Sequence, residues 1–157
     1  MDLSQYLEIF IDESKEHLQT LNDQVLILES EPENVDTVNE IFRAAHSLKG
    51  MAGTMGYKRM QRLTHDMENV FSEIRNGKMN VNADLVDIVF KCLDALEGYL
   101  TNIIETSDEG TEDNDELIAQ LNAVLQNGLA GNGDAQVAAT KEEPKEEKKT
   151  EGGDRRK

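Results

Sequence analysis

Apolar residues recur along this chain at steps of three and four, the spacing that lays one stripe down the face of an α-helix. The first stripe is Leu3, Leu7, Phe10, Ser14, Leu18, Leu21, Val25 and Leu28, and Pro32, within Ser30 to Asn34, stops it. A second runs through Val35, Val38, Ile41, Phe42, Ala45, Leu48, Ala52 and Met55 and ends near Gly56. The third carries Met60, Leu63, Thr64, Met67, Val70, Phe71 and Ile74 and closes on Asn76-Gly77, a good C-terminal stop. The fourth starts from an Asn82 cap and carries Leu85, Ile88, Val89, Cys92, Leu93, Leu96, Leu100 and Ile103. A shorter fifth segment, with Asn114 as its cap, presents Leu117, Ile118, Leu121, Val124 and Leu125. No β-branched alternating run argues for a strand. The pattern therefore predicts an all-α chain: an antiparallel four-helix bundle, with a fifth shorter C-terminal helix docked on its end or side.

From Gln126 the periodicity stops, and KEEPKEEKKTEGGDRRK offers no aliphatic or aromatic residue to bury. We expect a helical bundle over residues 1–126 and a disordered, flexible linker or tail over 127–157. A linker-like end suggests a piece of a longer protein. A length of 157 residues suits one well-buried core plus that tail.

Charge narrows the partners. The net charge is −16, and the stretch from Lys141 onward holds seven basic and six acidic residues, so the acidity belongs to the helical part. Attraction to a phosphate backbone or an anionic lipid surface is implausible, which sets aside nucleic acid and membrane. Cys92 is the single cysteine, so neither an intramolecular disulfide nor a cysteine metal cluster can form. The N-terminus has no basic segment ahead of an apolar run and is broken by Glu8, Asp12 and Glu13, unlike a signal peptide or a membrane span. A cytoplasmic, monomeric chain is the expectation.

Candidate chemistry centres on HSLKGMAG, residues 46–53. Two glycines three residues apart sit in the second half of an amphipathic helix, where each costs roughly 1 kcal/mol relative to alanine. His46 is rotated by about 100° from the buried stripe, onto its exposed edge. Lys49, Gly50 and Gly53 follow at i+3, i+4 and i+7, so imidazole, ammonium and bare backbone share that edge. The third helix carries His65 and Glu68 one turn apart. If the two helices fold back about Gly56, His46 and His65 lie at similar heights and the Glu68 carboxylate comes within reach of the His46 ring. A carboxylate accepting from Nδ1–H fixes the tautomer, leaves the Nε2 lone pair to attack an electrophile, and stabilises the charge that develops on the ring.

Acyl transfer would need an oxyanion hole, and no strand-to-helix elbow supplies one. A phosphoryl group fits better, with Lys49 available for charge neutralisation. No GxxxxGK[ST] loop is present to bind ATP, so the group must arrive from and leave to other proteins. Gly50 and Gly53 then make sense as flat ground for docking.

The run Ala44-Ala45-His46-Ser47-Leu48-Lys49-Gly50, with Ala52-Gly53-Thr54 and Gly56-Tyr57 after it, resembles the histidine phosphotransfer (HPt) motif. Ile41-Phe42-Arg43 before it and Leu63 to Glu68 after it narrow the resemblance to N-terminal phosphoacceptor domains of bacterial chemotaxis histidine kinases, the CheA type. That resemblance implies phosphorylation of His46 by the ATP-binding domain of the kinase, acting in trans, with Mg-ATP held by that separate domain and no cofactor here. It also implies that Glu68 hydrogen-bonds the His46 ring, that Lys49 and His65 assist, and that the phosphoryl group passes to an aspartate of a response regulator of the CheY or CheB type. Such a fragment would be the phosphoacceptor of a protein-histidine kinase without being a kinase alone.

A freestanding phosphotransfer carrier would have the same chemistry. A metal-binding bundle enzyme is the alternative from another class, and it wants Glu-x-x-His on two helices. Three residues before His17, His46 and His65 stand Ser14, Arg43 and Arg62, so the motif is missing each time and no metal site is expected.

Overall fold

In the computed structural model, which describes residues 3–140 and the dipeptides Lys149–Thr150 and Gly152–Gly153, every apolar stripe lies on a helix. These are α1 (Leu3–Ser30), α2 (Val35–Met55), α3 (Lys58–Arg75), α4 (Ala83–Thr106) and α5 (Asp115–Thr140). Short connections turn each of α2, α3 and α4 back on its predecessor. The contacts of α1 with α2 and α4, and of α3 with the same two, close a four-helix bundle; α5 lies against α3 and α4. The two dipeptides pair side by side, but they are too short for an ordinary strand, and one intervening residue cannot make a parallel crossover.

Helix ends follow the local chemistry. Asn34 Oδ1 accepts from Thr37 N at 3.1 Å and Asn82 Oδ1 from Leu85 N at 2.9 Å, capping α2 and α4. Gly56 (φ 81°) ends α2 in a Schellman motif, with Gly56 N donating to Gly53 O and Tyr57 N to Ala52 O. Gly77 (φ 78°) repeats the arrangement after α3, with Gly77 N on Ile74 O and Lys78 N on Glu73 O.

The start of α3 is capped from a distance. Tyr57 makes no side-chain cap, and the Glu109 carboxylate accepts from Arg59 N and Met60 N, both at 2.9 Å. Glu109 is buried, and Arg59 also pairs with Asp113 at 2.7 Å. Tyr57 Oη donates to Ser107 O at 2.8 Å, so the α4–α5 loop is tied to the corner from which α3 begins.

The core is drawn from all five helices, with Leu21, Ile41, Leu63, Phe71, Leu96 and Leu121 sealed from solvent. Two stripe residues stay outside it. Leu3 is 76% exposed and Val35 64%, because each opens its helix beyond the last packed turn.

The fifth helix departs from expectation in two ways. It continues past Gln126 to Thr140 instead of stopping as a short segment. Four alanines, strong helix formers, and the absence of proline before Pro144 permit this. Gly128 still touches the bundle, since a Cβ there would meet Met79 Cε at 2.7 Å. The expected tail over 127–157 therefore overlaps helix as far as Thr140, and apart from the two dipeptides its remainder lies outside the described residues. Asn114 stands at the start of α5 with φ 56°, but its side chain does not cap the helix. Its Nδ2 instead donates to Tyr99 Oη at 2.8 Å, while that hydroxyl donates to Glu112 O at 2.6 Å.

Candidate functional site

Burial of Ala45, Leu48 and Ala52 fixes the rotation of α2 about its axis, and His46, next in sequence to Ala45, is carried to the exposed edge. Its side chain is 63% exposed. The Schellman turn at Gly56 brings α3 back alongside, and Glu68, within the buried stripe of α3, reaches across to the imidazole.

His46 Nδ1 and Glu68 Oε2 are 2.5 Å apart. The carboxylate is buried, so this is a charged acceptor shielded from water and held by its own helix. A buried charge is costly without a partner. Lys49, one turn along α2, brings Nζ to 2.5 Å from Glu68 Oε1. The two form an ion pair that offsets part of the cost of burying the carboxylate. Lys49 was expected to neutralise an incoming phosphoryl group; here its ammonium is engaged with Glu68.

The structure thus brings His46, Lys49 and Glu68 together. His65 is not drawn in: its ring is exposed, and its Nδ1 lies 3.5 Å from Asp66 Oδ1, its neighbour in sequence. The two glycines also separate. A Cβ at Gly50 would meet nothing within 4 Å, so this position is open ground beside His46. At Gly53 a Cβ would lie 2.5 Å from Gln61 Nε2, so Gly53 is the place where a side chain of α3 crosses α2. That neighbour is the far end of a flexible side chain, and Gly53 itself remains half-exposed.

Between α1 and α2 an open groove runs past His46 and Gly50, with Tyr6, Ile9, Glu13 and His17 on its α1 side. Tyr6 and Ile9 are exposed apolar residues. His17, which the sequence suggests is an unremarkable flank residue, shares this groove with His46.

One further residue borders the ring, and a second lies behind it. Phe42, one turn before His46, has its ring 6.2 Å from the imidazole, centroid to centroid, with planes 10° apart. The Arg75 guanidinium carbon stands 4.0 Å over the Phe42 ring. The i, i+4 spacing of Phe42 and His46 is visible in the sequence; the reach of Arg75 from the end of α3 is not.

Among the described residues, no group of three or more His, Cys, Asp or Glu is placed to hold a metal ion. No helix there is long and apolar enough to cross a membrane.

Comparison with known proteins bears on the same residues. The family model described as Hpt domain matches residues 5–127. The chemotaxis protein CheA of Bacillus subtilis (strain 168) is 53% identical over 121 residues, a stretch that is 77% of this chain and 18% of that protein. The CheA protein of Listeria monocytogenes is 46% identical over 119 residues, 76% of this chain and 19% of that protein. The chain therefore spans about a fifth of the length of these relatives. Among solved structures, the CheA phosphotransferase domain from Thermotoga maritima aligns with a TM-score of 0.63 and 43% identity, covering 66% of this chain and 99% of that one. A solution structure of the histidine phosphotransfer domain of CheA aligns with a TM-score of 0.71 and 34% identity, covering 92% of this chain and all of that one. At 19% identity and a TM-score of 0.74, the phosphorylated P1 domain of CheA3 from R. sphaeroides, solved in complex with CheY6, shares the fold. With a family match over most of its length and a CheA domain covered almost end to end, this chain belongs to the Hpt domain family, as a phosphotransferase domain of the CheA type.

Proposed function

We propose that His46 is the phosphoacceptor of this domain and that Glu68 makes it a nucleophile. The observation that supports this most directly is the 2.5 Å approach of Nδ1 to a buried carboxylate, on a ring that is otherwise exposed. Donation from Nδ1–H to Glu68 leaves Nε2 unprotonated on the exposed side. The Nε2 lone pair attacks the γ-phosphorus of ATP held by a separate kinase domain. An N–P bond forms, the P–O bond to ADP breaks, and the positive charge left on the ring is balanced by Glu68. Lys49 holds Glu68 in place through their ion pair. His65, one turn before Glu68 and paired with Asp66, plays at most an auxiliary part.

In the second half of the cycle, an aspartate of a CheY- or CheB-type response regulator attacks the same phosphorus and the N–P bond breaks. The groove beside Gly50, with Tyr6 and Ile9 exposed along it, suits a docking protein. The complex of the CheA3 P1 domain with CheY6 supports the same class of partner. The domain then serves as the phosphoacceptor of a cytoplasmic chemotaxis kinase, without ATP binding of its own.

Incubation with a chemotaxis-kinase ATP-binding domain and Mg-ATP tests this. Wild type should gain one acid-labile phosphoryl group and His46→Gln none. Labelling of the variant at full occupancy would refute the assignment.

A further inference from the structure

One hydrogen bond at Nδ1 fixes a point on the imidazole and leaves the ring plane free. The ring can still swing about the Nδ1···Oε2 line, since the outer torsion of histidine has broad, shallow wells. With its side chain 63% exposed, His46 has little core packing to stop that motion. An attacking lone pair lies in the ring plane, so a free plane means a poorly aimed nucleophile.

Phe42 supplies the missing restraint. It stands four residues before His46 on the same face of α2, with ring planes 10° apart and centroids 6.2 Å apart, an offset parallel stack. Phe42 is only partly buried and needs a support of its own. Arg75 provides it from α3, with the guanidinium carbon 4.0 Å over the ring. The Schellman turn at Gly77, bonded back to Ile74 O and Glu73 O, encloses Arg75 and fixes the backbone from which its side chain departs. Glu68 and Arg75 are seven residues apart, two turns along one face of α3. The third helix thus reaches His46 twice: at the ring edge through Glu68, and at the ring face through Arg75 and Phe42.

We propose that Phe42 and Arg75 are positioning residues that set the plane of the His46 imidazole for phosphoryl transfer. This rests on His46 being the phosphoacceptor. Neither residue touches the phosphoryl group; each acts through the orientation of the ring. The contribution is that of one stack and one cation–π contact at a partly exposed site, about a two- to fivefold effect on rate.

The test uses the full 157-residue chain with a chemotaxis-kinase ATP-binding domain and Mg-ATP, comparing Arg75→Gln, Arg75→Lys, Phe42→Leu and Phe42→Tyr with wild type. Arg75→Gln and Phe42→Leu should lower kcat about two- to fivefold at unchanged KM, and Lys and Tyr should restore most of the loss. In Arg75→Gln the Phe42 ring loses its support, so the three-bond Hβ–Cδ2 couplings of His46, which report the outer torsion, should move toward averaged values while its Nδ1–H tautomer persists. Unchanged kcat and unchanged couplings in Arg75→Gln overturn the inference. A rise in KM alone also overturns it, because it makes Arg75 a docking contact. If Phe42→Leu fails to fold, the exposed Arg75 still carries the test. His46→Gln, run in parallel, separates the two ideas: its continued labelling would sink the phosphoacceptor reading, whereas labelling of wild type at His46 with Arg75→Gln unaffected would sink the positioning role alone.

Discussion

His46 and Glu68 are 22 residues apart in sequence, yet Nδ1 of one lies 2.5 Å from Oε2 of the other. The two-residue turn at Gly56 and Tyr57 makes that possible, and the asymmetry of burial makes it useful: the acceptor is buried and the ring exposed. A carboxylate in that position favours one tautomer before any partner arrives, so the ordering cost is met during folding.

Glu68→Gln keeps the shape and removes the charge. Phosphorylation should slow by about tenfold or more, because the amide can no longer balance an imidazolium. Lys49 is left beside a neutral group, so unfolding should also become somewhat easier. Initial rates with the kinase domain in excess, alongside urea denaturation, separate the two effects. An unchanged rate would mean that the carboxylate does not prepare the ring.

Glu109 should matter for stability and not for chemistry. It accepts two backbone N–H groups at the start of α3 while buried. Glu109→Ala removes both and should lower the unfolding free energy by about 1–3 kcal/mol. Under conditions where the variant remains folded, its phosphorylation rate should match wild type. A loss below 0.5 kcal/mol, a threshold of about the size of ordinary surface effects, would show that water replaces the cap without penalty.

The two glycines of α2 should respond differently to alanine. At Gly50 the added Cβ meets nothing, and Gly50→Ala should stabilise by about 0.5–1 kcal/mol through helix propensity alone. At Gly53 the same gain is reduced because the flexible end of Gln61 must move aside. Gly53→Leu should therefore disturb the α2–α3 contact as well as any transfer to a response regulator. Thermal midpoints of the two alanine variants give the comparison, and equal gains would show that Gln61 moves aside freely.

Alkaline pH should weaken the fold. Burial, and then Asp66 nearby, pushes the Cys92 thiol up to about 12 from an ordinary value of 9.0. Burial also raises the Tyr99 and Tyr57 phenols. In each case the folded state favours the protonated form, so the stabilisation is complete below the unfolded value and is lost as pH rises through the folded one. For Cys92 that window runs from about pH 9 to about pH 12. Near neutrality, reaction of Cys92 with a thiol reagent should follow global unfolding. Rapid modification of the folded protein at pH 8 would contradict this burial.

The helices were legible in the sequence because one-sided burial leaves a period, and the boundaries near Gly56 and Asn82 because stop and cap signals are local chemistry. Glu68 could be inferred because its distance from Gly56 nearly matches that of His46, and a hairpin of helices turns equal counts into equal heights. That Gln61 lies against Gly53 was not legible. A glycine opposite a neighbouring helix and one facing solvent look alike in one dimension, and only the packing of Gln61 tells them apart. Glu109 was hidden for the same reason: it sits in a polar loop that carries no periodicity, and its partners are about fifty residues away at the start of α3. The continuation of α5 past Gln126 was not legible because the apolar periodicity stops there, while alanines sustain the helix to Thr140.

The most direct measurement is intact mass with an acid-lability check, after incubation of wild type and His46→Gln with an active chemotaxis-kinase ATP-binding domain and Mg-ATP. One acid-labile phosphoryl group on wild type and none on an equally folded His46→Gln is the predicted result. Equal labelling of both, or none on wild type while a control phosphotransfer domain is labelled, would contradict His46 as the phosphoacceptor.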